Sequence, residues 1–219
     1  MVTEFMKRIL KIPVTLLFVA FATVCGIQNS YAAMNYGIFE SYVVLNVNGG
    51  GNQFYDAGAS TANPDFHGAN LGTFNPSLNS LILNGGEVKT FKNGSGNVTG
   101  AFLDYRIWLT GNESGSFIER SIPFNANLSN PGDQRWLLTG DNINVLNGLN
   151  SGNYMLEIYF RASGNQGDVF HNNGGPNYEA AFSVVPEPVN VALGTFGILL
   201  LAGGALRRLR KPHAASSCD

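Results

Sequence analysis

Residues 101–110, "AFLDYRIWLT", alternate apolar and polar side chains over most of their length. This pattern predicts a β-strand with one buried face, because successive side chains of a strand point to opposite faces. Residues 154–162, "YMLEIYFRA", repeat the pattern. The predicted apolar faces consist of Leu103, Tyr105, Ile107 and Leu109 in the first segment, and Tyr154, Leu156, Ile158 and Phe160 in the second. Two such strands indicate a sheet that covers a core on one side.

Further β-rich runs, separated by Gly, Asn and Pro turns, surround these two strands. They are "FESYVVLNV", "SFIERSIPF", "RWLLTGDNINVLNGL" and "NYEAAFSV". Residues 80–91, "SLILNGGEVKTF", predict two short strands joined at Asn84-Gly85, since Asn-Gly is typical of tight hairpin turns. Residues 33–185 thus predict eight or nine strands and no helix. We expect an all-β domain, an antiparallel β-sandwich of jelly-roll type.

The charges divide the chain into an acidic middle and two basic ends. Charged side chains are 13% of the sequence, and residues 33–188 hold 13 acidic and six basic ones, a net charge of −7. An acidic body of this kind argues against nucleic acid as a partner, because phosphate binding needs a basic surface. The two cysteines, Cys25 and Cys218, lie outside the body, so the body itself can form no disulfide.

The amino terminus has the three parts of a secretory signal peptide. Lys7, Arg8 and Lys11 precede a mostly apolar run at residues 14–27, and "NSYAAM" follows. Small residues there predict cleavage between Ala32 and Ala33, so residues 1–32 would be removed by signal peptidase after export. The alternative is an anchor that is never cut, for which the apolar run is short.

The carboxyl terminus predicts a single transmembrane helix at residues 189–206. Only Asn190 and Thr195 are polar in this stretch, and a helix of its length would extend about 27 Å, close to the hydrocarbon thickness of a bilayer. Cations follow it and should remain cytoplasmic, which places the body on the other side of the membrane. These topology-determining cations are Arg207, Arg208, Arg210 and Lys211, and a short tail, residues 212–219, follows.

Pro186, Glu187 and Pro188 separate the body from this apolar stretch. The two prolines disfavour helix, so an extended and exposed segment is expected at the membrane face. The order of Pro-Glu-Pro, a Gly/Leu-rich span and an arginine cluster over residues 186–211 resembles the PEP-CTERM sorting signal. The resemblance implies recognition by exosortase, a membrane transpeptidase of Gram-negative bacteria that make exopolysaccharide. It further implies cleavage near the motif and delivery to the cell surface or matrix.

The body is similar to a domain of secreted surface proteins from other bacteria, whose activity is unsettled. The stretches that carry this similarity are "NGGGNQFYDAGASTANPDFHGANLGTF", "SLILNGGEVKTFKNGSG" and "NNGGPNYEAAFSV". The similarity implies a self-contained secreted module and implies no chemistry.

Several polar and aromatic side chains of the body are candidates for binding or catalysis. His67 and His171, each in a loop with a nearby aspartate, are weak metal candidates. Turns that offer carboxylate and carbonyl oxygens are compatible with a structural calcium ion, although the sequence requires no cofactor. Two carboxylates on predicted strands, Glu119 and Glu157, would suit glycoside hydrolysis if they shared a cleft. The candidate calcium ligands are Asp56, Asp133, Asp141 and Asp168, and the candidate sugar-stacking aromatics are Tyr55, Trp108, Trp136 and Tyr159.

Taken together, these features predict an exported, non-enzymatic protein that is anchored through its carboxyl terminus and then processed by exosortase at the cell surface or matrix. A structural or interaction role is expected for the body. A carbohydrate-binding module delivered to the same place is the alternative, with polysaccharide as its partner, and a glycosidase is a weaker one. An exposed aromatic platform would favour sugar binding, whereas paired carboxylates in a cleft would favour hydrolysis.

Overall fold

The computed structural model describes residues 34–112, 114–186, 196 and 198–201. All its strands belong to the compact unit Asn35–Asp219. The twelve strands are β1 (Tyr36–Val47), β2 (Asn52–Asp56), β3 (Asn70–Phe74), β4 (Leu81–Lys92), β5 (Val98–Leu109), β6 (Ile118–Ile122), β7 (Phe124–Asn127), β8 (Gln134–Leu138), β9 (Ile143–Asn144), β10 (Gly152–Gly164), β11 (Gly167–His171) and β12 (Tyr178–Val184). Within residues 34–112 and 114–186 there is no helix, so the predicted all-β class is confirmed.

The strands form two sheets of six. The first sheet has the order β2-β1-β4-β8-β7, with β9 also paired to β4, and all its pairs are antiparallel. The second sheet has the order β3-β12-β10-β5-β6, with β11 also paired to β10. Its β12–β3 pair is parallel, so the second sheet is mixed at one edge where we expected antiparallel pairing throughout. The long connection between β3 and β12 allows this, because parallel neighbours need a crossover and cannot be joined by a tight turn.

The two sheets enclose one hydrophobic core and thus form a β-sandwich. Side chains of β1 and β4 from the first sheet meet those of β5, β10 and β12 from the second in a single buried cluster. The apolar faces predicted for β5 and β10 both point into it. Leu103, Tyr105, Tyr154, Leu156, Ile158 and Phe160 are buried, and Ile107 and Leu109 are partly buried against the cluster.

The predicted hairpin at Asn84-Gly85 is wrong, because β4 runs through these residues as one strand. The pairing of β1 with β4 passes from Val44 opposite Gly85 to Leu45 opposite Leu83, so Asn84 is the extra residue of a β-bulge. Gly85 has φ 124°, and a Cβ atom there would lie 2.5 Å from the Leu138 carbonyl oxygen. The dipeptide therefore permits a bulge and a close approach of β8 where a turn was expected.

Several predicted features lie outside the described residues. They are the signal segment 1–32 with Ala32 and Ala33, Glu187 and Pro188 of the sorting motif, the cations at 207–211 and most of the predicted span at 189–206. Phe196 and residues 198–201 are helical and exposed. In the described part of the chain, no helix is long and apolar enough to cross a membrane.

Candidate functional site

The sorting motif begins directly where the body ends. The Val185 amide, one residue after β12, donates a 2.9 Å hydrogen bond to the Phe74 carbonyl at the end of β3. Pro186 is exposed and, with Val184 and Val185, borders a pocket of about 360 Å³ whose other walls are Pro76, Leu149, Asn150 and Ser151. Only Val185 therefore separates the end of β12 from the first motif residue.

Both candidate histidines contact the Tyr178 ring, at ring-centroid distances of 6.3 Å for His67 and 5.8 Å for His171. The Ser41 hydroxyl donates to the Ala57 carbonyl, so its 2.9 Å contact with His171 Nδ1 assigns the imidazole proton to Nδ1. Burial lowers the pKa of His171 and favours the neutral ring. His67 Nδ1 accepts a 3.2 Å bond from the Glu179 amide. Both rings thus act in local packing and hydrogen bonding.

The four aspartates considered as calcium ligands lie in separate places, each with its own partner. These contacts join Asp56 to Thr61, Asp133 to Asn130, Asp141 to Arg120, and Asp168 to Ser163 and Arg161. Among the residues that the structure describes, no group of three or more His, Cys, Asp or Glu side chains could hold a metal ion. The aspartates stabilise turns and ion pairs in this arrangement.

Glu157 is a buried carboxylate at the centre of a polar cluster on the outer face of the second sheet. It accepts bonds of 2.7 Å from Arg106 Nε and Nη2, of 2.7 Å from Asn177, and of 3.2 Å from the Trp108 indole nitrogen. Burial alone would raise the pKa of this carboxyl, but the hydrogen bonds outweigh it and lower the pKa. An ionised carboxylate saturated with donors is unsuited to donate a proton to a leaving group.

Glu119, the other carboxylate considered for hydrolysis, belongs to a different cluster on β6. It pairs with Arg161, which also contacts Asp168 at 3.1 Å and stacks over the Phe102 ring at 4.2 Å. Asp104 lies 3.9 Å from the same guanidinium, and burial raises its pKa against that attraction. Glu119 and Glu157 therefore pair with different arginines, Arg161 and Arg106.

Of the four candidate aromatics, only Tyr159 belongs to a group of partly exposed rings. Its ring lies 4.8 Å from Phe117, edge to face, and 6.1 Å from Phe170, which is 51% exposed. Trp136 is buried and donates to Thr90, and Trp108 donates to Glu157. Tyr55 is partly buried against the core. The Phe117 ring meets Tyr159 edge to face and the Phe170 ring is tilted by 51°, so the three rings do not form one flat platform.

A pocket on the outer face of the first sheet was missed by the sequence analysis. We call it the Tyr42 pocket; its volume is about 290 Å³, and it is shallow and open to solvent. Strands β1, β2, β4 and β8 and the loop after β2 supply its walls, which are Tyr42, Phe54, Asn63, Glu87, Lys89 and Arg135. Its only signal in the sequence is the charged pair Glu87 and Lys89 on either side of buried Val88, which marks the polar face of β4.

Ion pairs hold the charged walls of the Tyr42 pocket in place. Arg135 Nη2 lies 2.6 Å from Glu87, which is buried, and Lys89 forms an ion pair with Glu40. The hydrogen bond from Lys89 lowers the pKa of Glu40, and the Tyr42 hydroxyl adds a 2.9 Å bond to the same carboxylate. Each cation of the walls is therefore paired with a carboxylate, Arg135 with Glu87 and Lys89 with Glu40, which lies beside the pocket.

Comparison of the chain with family models, curated protein sequences and solved structures finds no match. The structure is that of a two-sheet β protein with ordered ion-pair networks on both outer faces.

Proposed function

We propose that this protein is exported, anchored through its carboxyl terminus, and then cut by exosortase at the Pro-Glu-Pro motif for delivery to the cell surface or matrix. The signal peptide at residues 1–32 would direct export, and the apolar span at residues 189–206 would hold the chain until processing. The body would have a structural or interaction role at its destination.

One observation carries this proposal: Pro-Glu-Pro, an apolar span and the basic cluster follow one another directly after the last strand. The position of β12 supports it, because this strand lies inside the second sheet, between β10 and β3. Its buried side chains close the core before the motif begins. Cleavage after Val185 would therefore remove nothing on which the described core depends.

The jelly-roll designation is also part of the proposal. The chain crosses from one sheet to the other after β2, β3, β4, β6 and β9, and such repeated crossing is typical of jelly rolls. Lectin and capsid domains share this architecture, yet the fold alone assigns no activity.

A motif variant tests the sorting function. Replacing Pro186, Glu187 and Pro188 together by alanine should leave the protein exported but uncut, with residues 207–211 still attached in the membrane fraction. Cell fractionation with mass spectrometry of the carboxyl terminus measures this.

The matched control for this experiment is Pro176→Ala, which changes an exposed proline of the loop before β12. It should be processed like the wild type. Normal cleavage of the triple-alanine variant would refute recognition through the motif and leave an ordinary membrane anchor as the better account.

A further inference from the structure

We propose that the Tyr42 pocket binds one ring of a neutral saccharide, so that the body attaches to a polysaccharide. This inference goes beyond sorting and does not depend on it, since binding to the pocket requires only the folded body.

The size of the pocket and its partly exposed Phe54 ring fit one sugar ring. Its volume, about 290 Å³, is close to the lower limit of ligand pockets, which extend from about 300 to 1,000 Å³. Phe54 is the ring available for stacking, because Tyr42 is buried, packs edge to face at 6.3 Å from Phe54 and has the Lys89 ammonium over its own ring. Aromatic rings offer apolar faces to the C–H face of a sugar, while neighbouring polar groups bind its hydroxyls. The open shape leaves room for the rest of a polymer to continue past the bound unit.

Polar groups around the rings can both donate and accept hydrogen bonds, as a sugar hydroxyl requires. The Arg135 side chain is 35% exposed and uses Nη2 for its ion pair with Glu87. Lys89 remains 25% exposed, and Asn63, on the exposed loop, adds an amide. Because ion pairs already fix Glu87, Arg135 and Lys89, these groups are oriented before a ligand arrives and lose little freedom on binding.

Charge selects a neutral sugar over an anionic one. Both cations of the pocket walls are already paired with carboxylates, Lys89 with Glu40 and Arg135 with Glu87. Residues 33–188 carry a net charge of −7, so the surrounding field repels polyanions. A polyuronate would have to displace carboxylates from both cations, whereas a neutral hydroxyl needs only to join the existing network.

Binding of the full chain in detergent to soluble polysaccharides tests the proposal. The probes are a glucan, a mannan and a galactan, with a polyuronate as the anionic comparison, measured by calorimetry. We expect at least one neutral polymer to bind and the polyuronate not to bind. Phe54→Ala should weaken that binding about tenfold, through loss of one ring contact.

Two further variants separate loss of the site from loss of the fold. Asn63→Ala changes only the exposed loop and should also weaken binding several-fold. Phe170→Ala removes an exposed ring from the second sheet and should leave binding unchanged. Melting curves of all three variants identify any that do not fold.

Three results would overturn the proposal: no neutral polymer binds, the polyuronate binds in preference, or binding survives both Phe54→Ala and Asn63→Ala. None of these would affect the sorting proposal, whose readout is the processed carboxyl terminus.

Discussion

The buried carboxylate of Glu157 shows how single residues stabilise the outer face of the second sheet. Glu157 is 2% exposed and faces Arg106 directly across the β5–β10 pair. The bidentate contact satisfies both charges, and Asn177 and Trp108 fill the remaining acceptor positions. A residue type that suggested catalysis in the sequence thus has a structural role.

Removing this carboxylate should destabilise the protein. Glu157→Ala leaves Arg106 without its partner, so we expect a loss of about 3 kcal/mol in the free energy of unfolding, measured with urea. Glu119→Ala is the control, because the Glu119 carboxylate is 51% exposed and should contribute less than about 1 kcal/mol. Equal losses for the two variants would contradict the assignment of a buried, structural pair.

The partly buried imidazole of His171 predicts that stability depends on pH. Burial lowers its folded-state pKa below the unfolded value of about 6.5, so the unfolded chain binds the extra proton more readily. Stability should therefore be fully present above that unfolded pKa and decrease as the pH falls below it.

Urea unfolding at several pH values measures this dependence. His171→Asn keeps a side-chain donor near Ser41 but cannot titrate, so its stability should vary less between about pH 7 and pH 5.5. Identical pH profiles for the variant and the wild type would exclude His171 as the source.

At the scale of elements, the glycines of β4 allow three strands to approach closely. A Cβ at Gly85 would meet the Leu138 carbonyl of β8, and one at Gly86 would lie 2.7 Å from the Phe160 ring of the opposite sheet. The first contact concerns neighbouring strands and the second concerns packing between the sheets.

Gly85→Ala should cost about 2 kcal/mol or more, from backbone strain at positive φ together with the contact to Leu138. Gly140→Ala is the control, since a Cβ atom added there would have no neighbour within 4 Å and the φ of Gly140 is not positive. That substitution should be neutral or stabilising. Chemical denaturation measures the free energy of unfolding of both variants. An unchanged value for Gly85→Ala would contradict the bulge.

Strand faces were predictable from the sequence where alternation was strong, as in β5 and β10, because one buried face imposes a period of two. The bulge in β4 was not predictable from the sequence, because Asn-Gly suits both a tight turn and a bulge position with positive φ. Only pairing with the neighbouring strand decides between the two. Short strands such as β9 are held by pairing with β4, and little of their own sequence specifies them. Sheet order was likewise unpredictable, because it depends on pairs distant in the sequence.

The candidate site was predictable only in part. Residues that carry strong chemical expectations, such as Glu157 and Trp136, proved to serve packing and ion pairs. The Tyr42 pocket was hidden because its walls come from separate segments that only the sheet brings together. Tyr42, Glu87 and Arg135 lie on three adjacent strands, and no local pattern links them.

At the scale of the whole molecule, the body is complete before the sorting motif starts. Tyr178, Ala180, Phe182 and Val184 of β12 are all buried in the shared core. A chain that ends at Pro186 should therefore fold with an unfolding free energy like that of the full chain. A chain that ends at Asn177 lacks β12 and should not fold. Circular dichroism and urea unfolding of both chains check this, and a folded shorter chain would contradict the role of β12.

The central claim is that the carboxyl-terminal segment is a processing signal. The most direct measurement is mass spectrometry of the carboxyl-terminal peptide of the wild-type protein recovered from the surface or medium of its native host. We expect a terminus near Pro186, Glu187 and Pro188, without the basic residues 207–211. Recovery of a protein that retains the span and the basic cluster would contradict it.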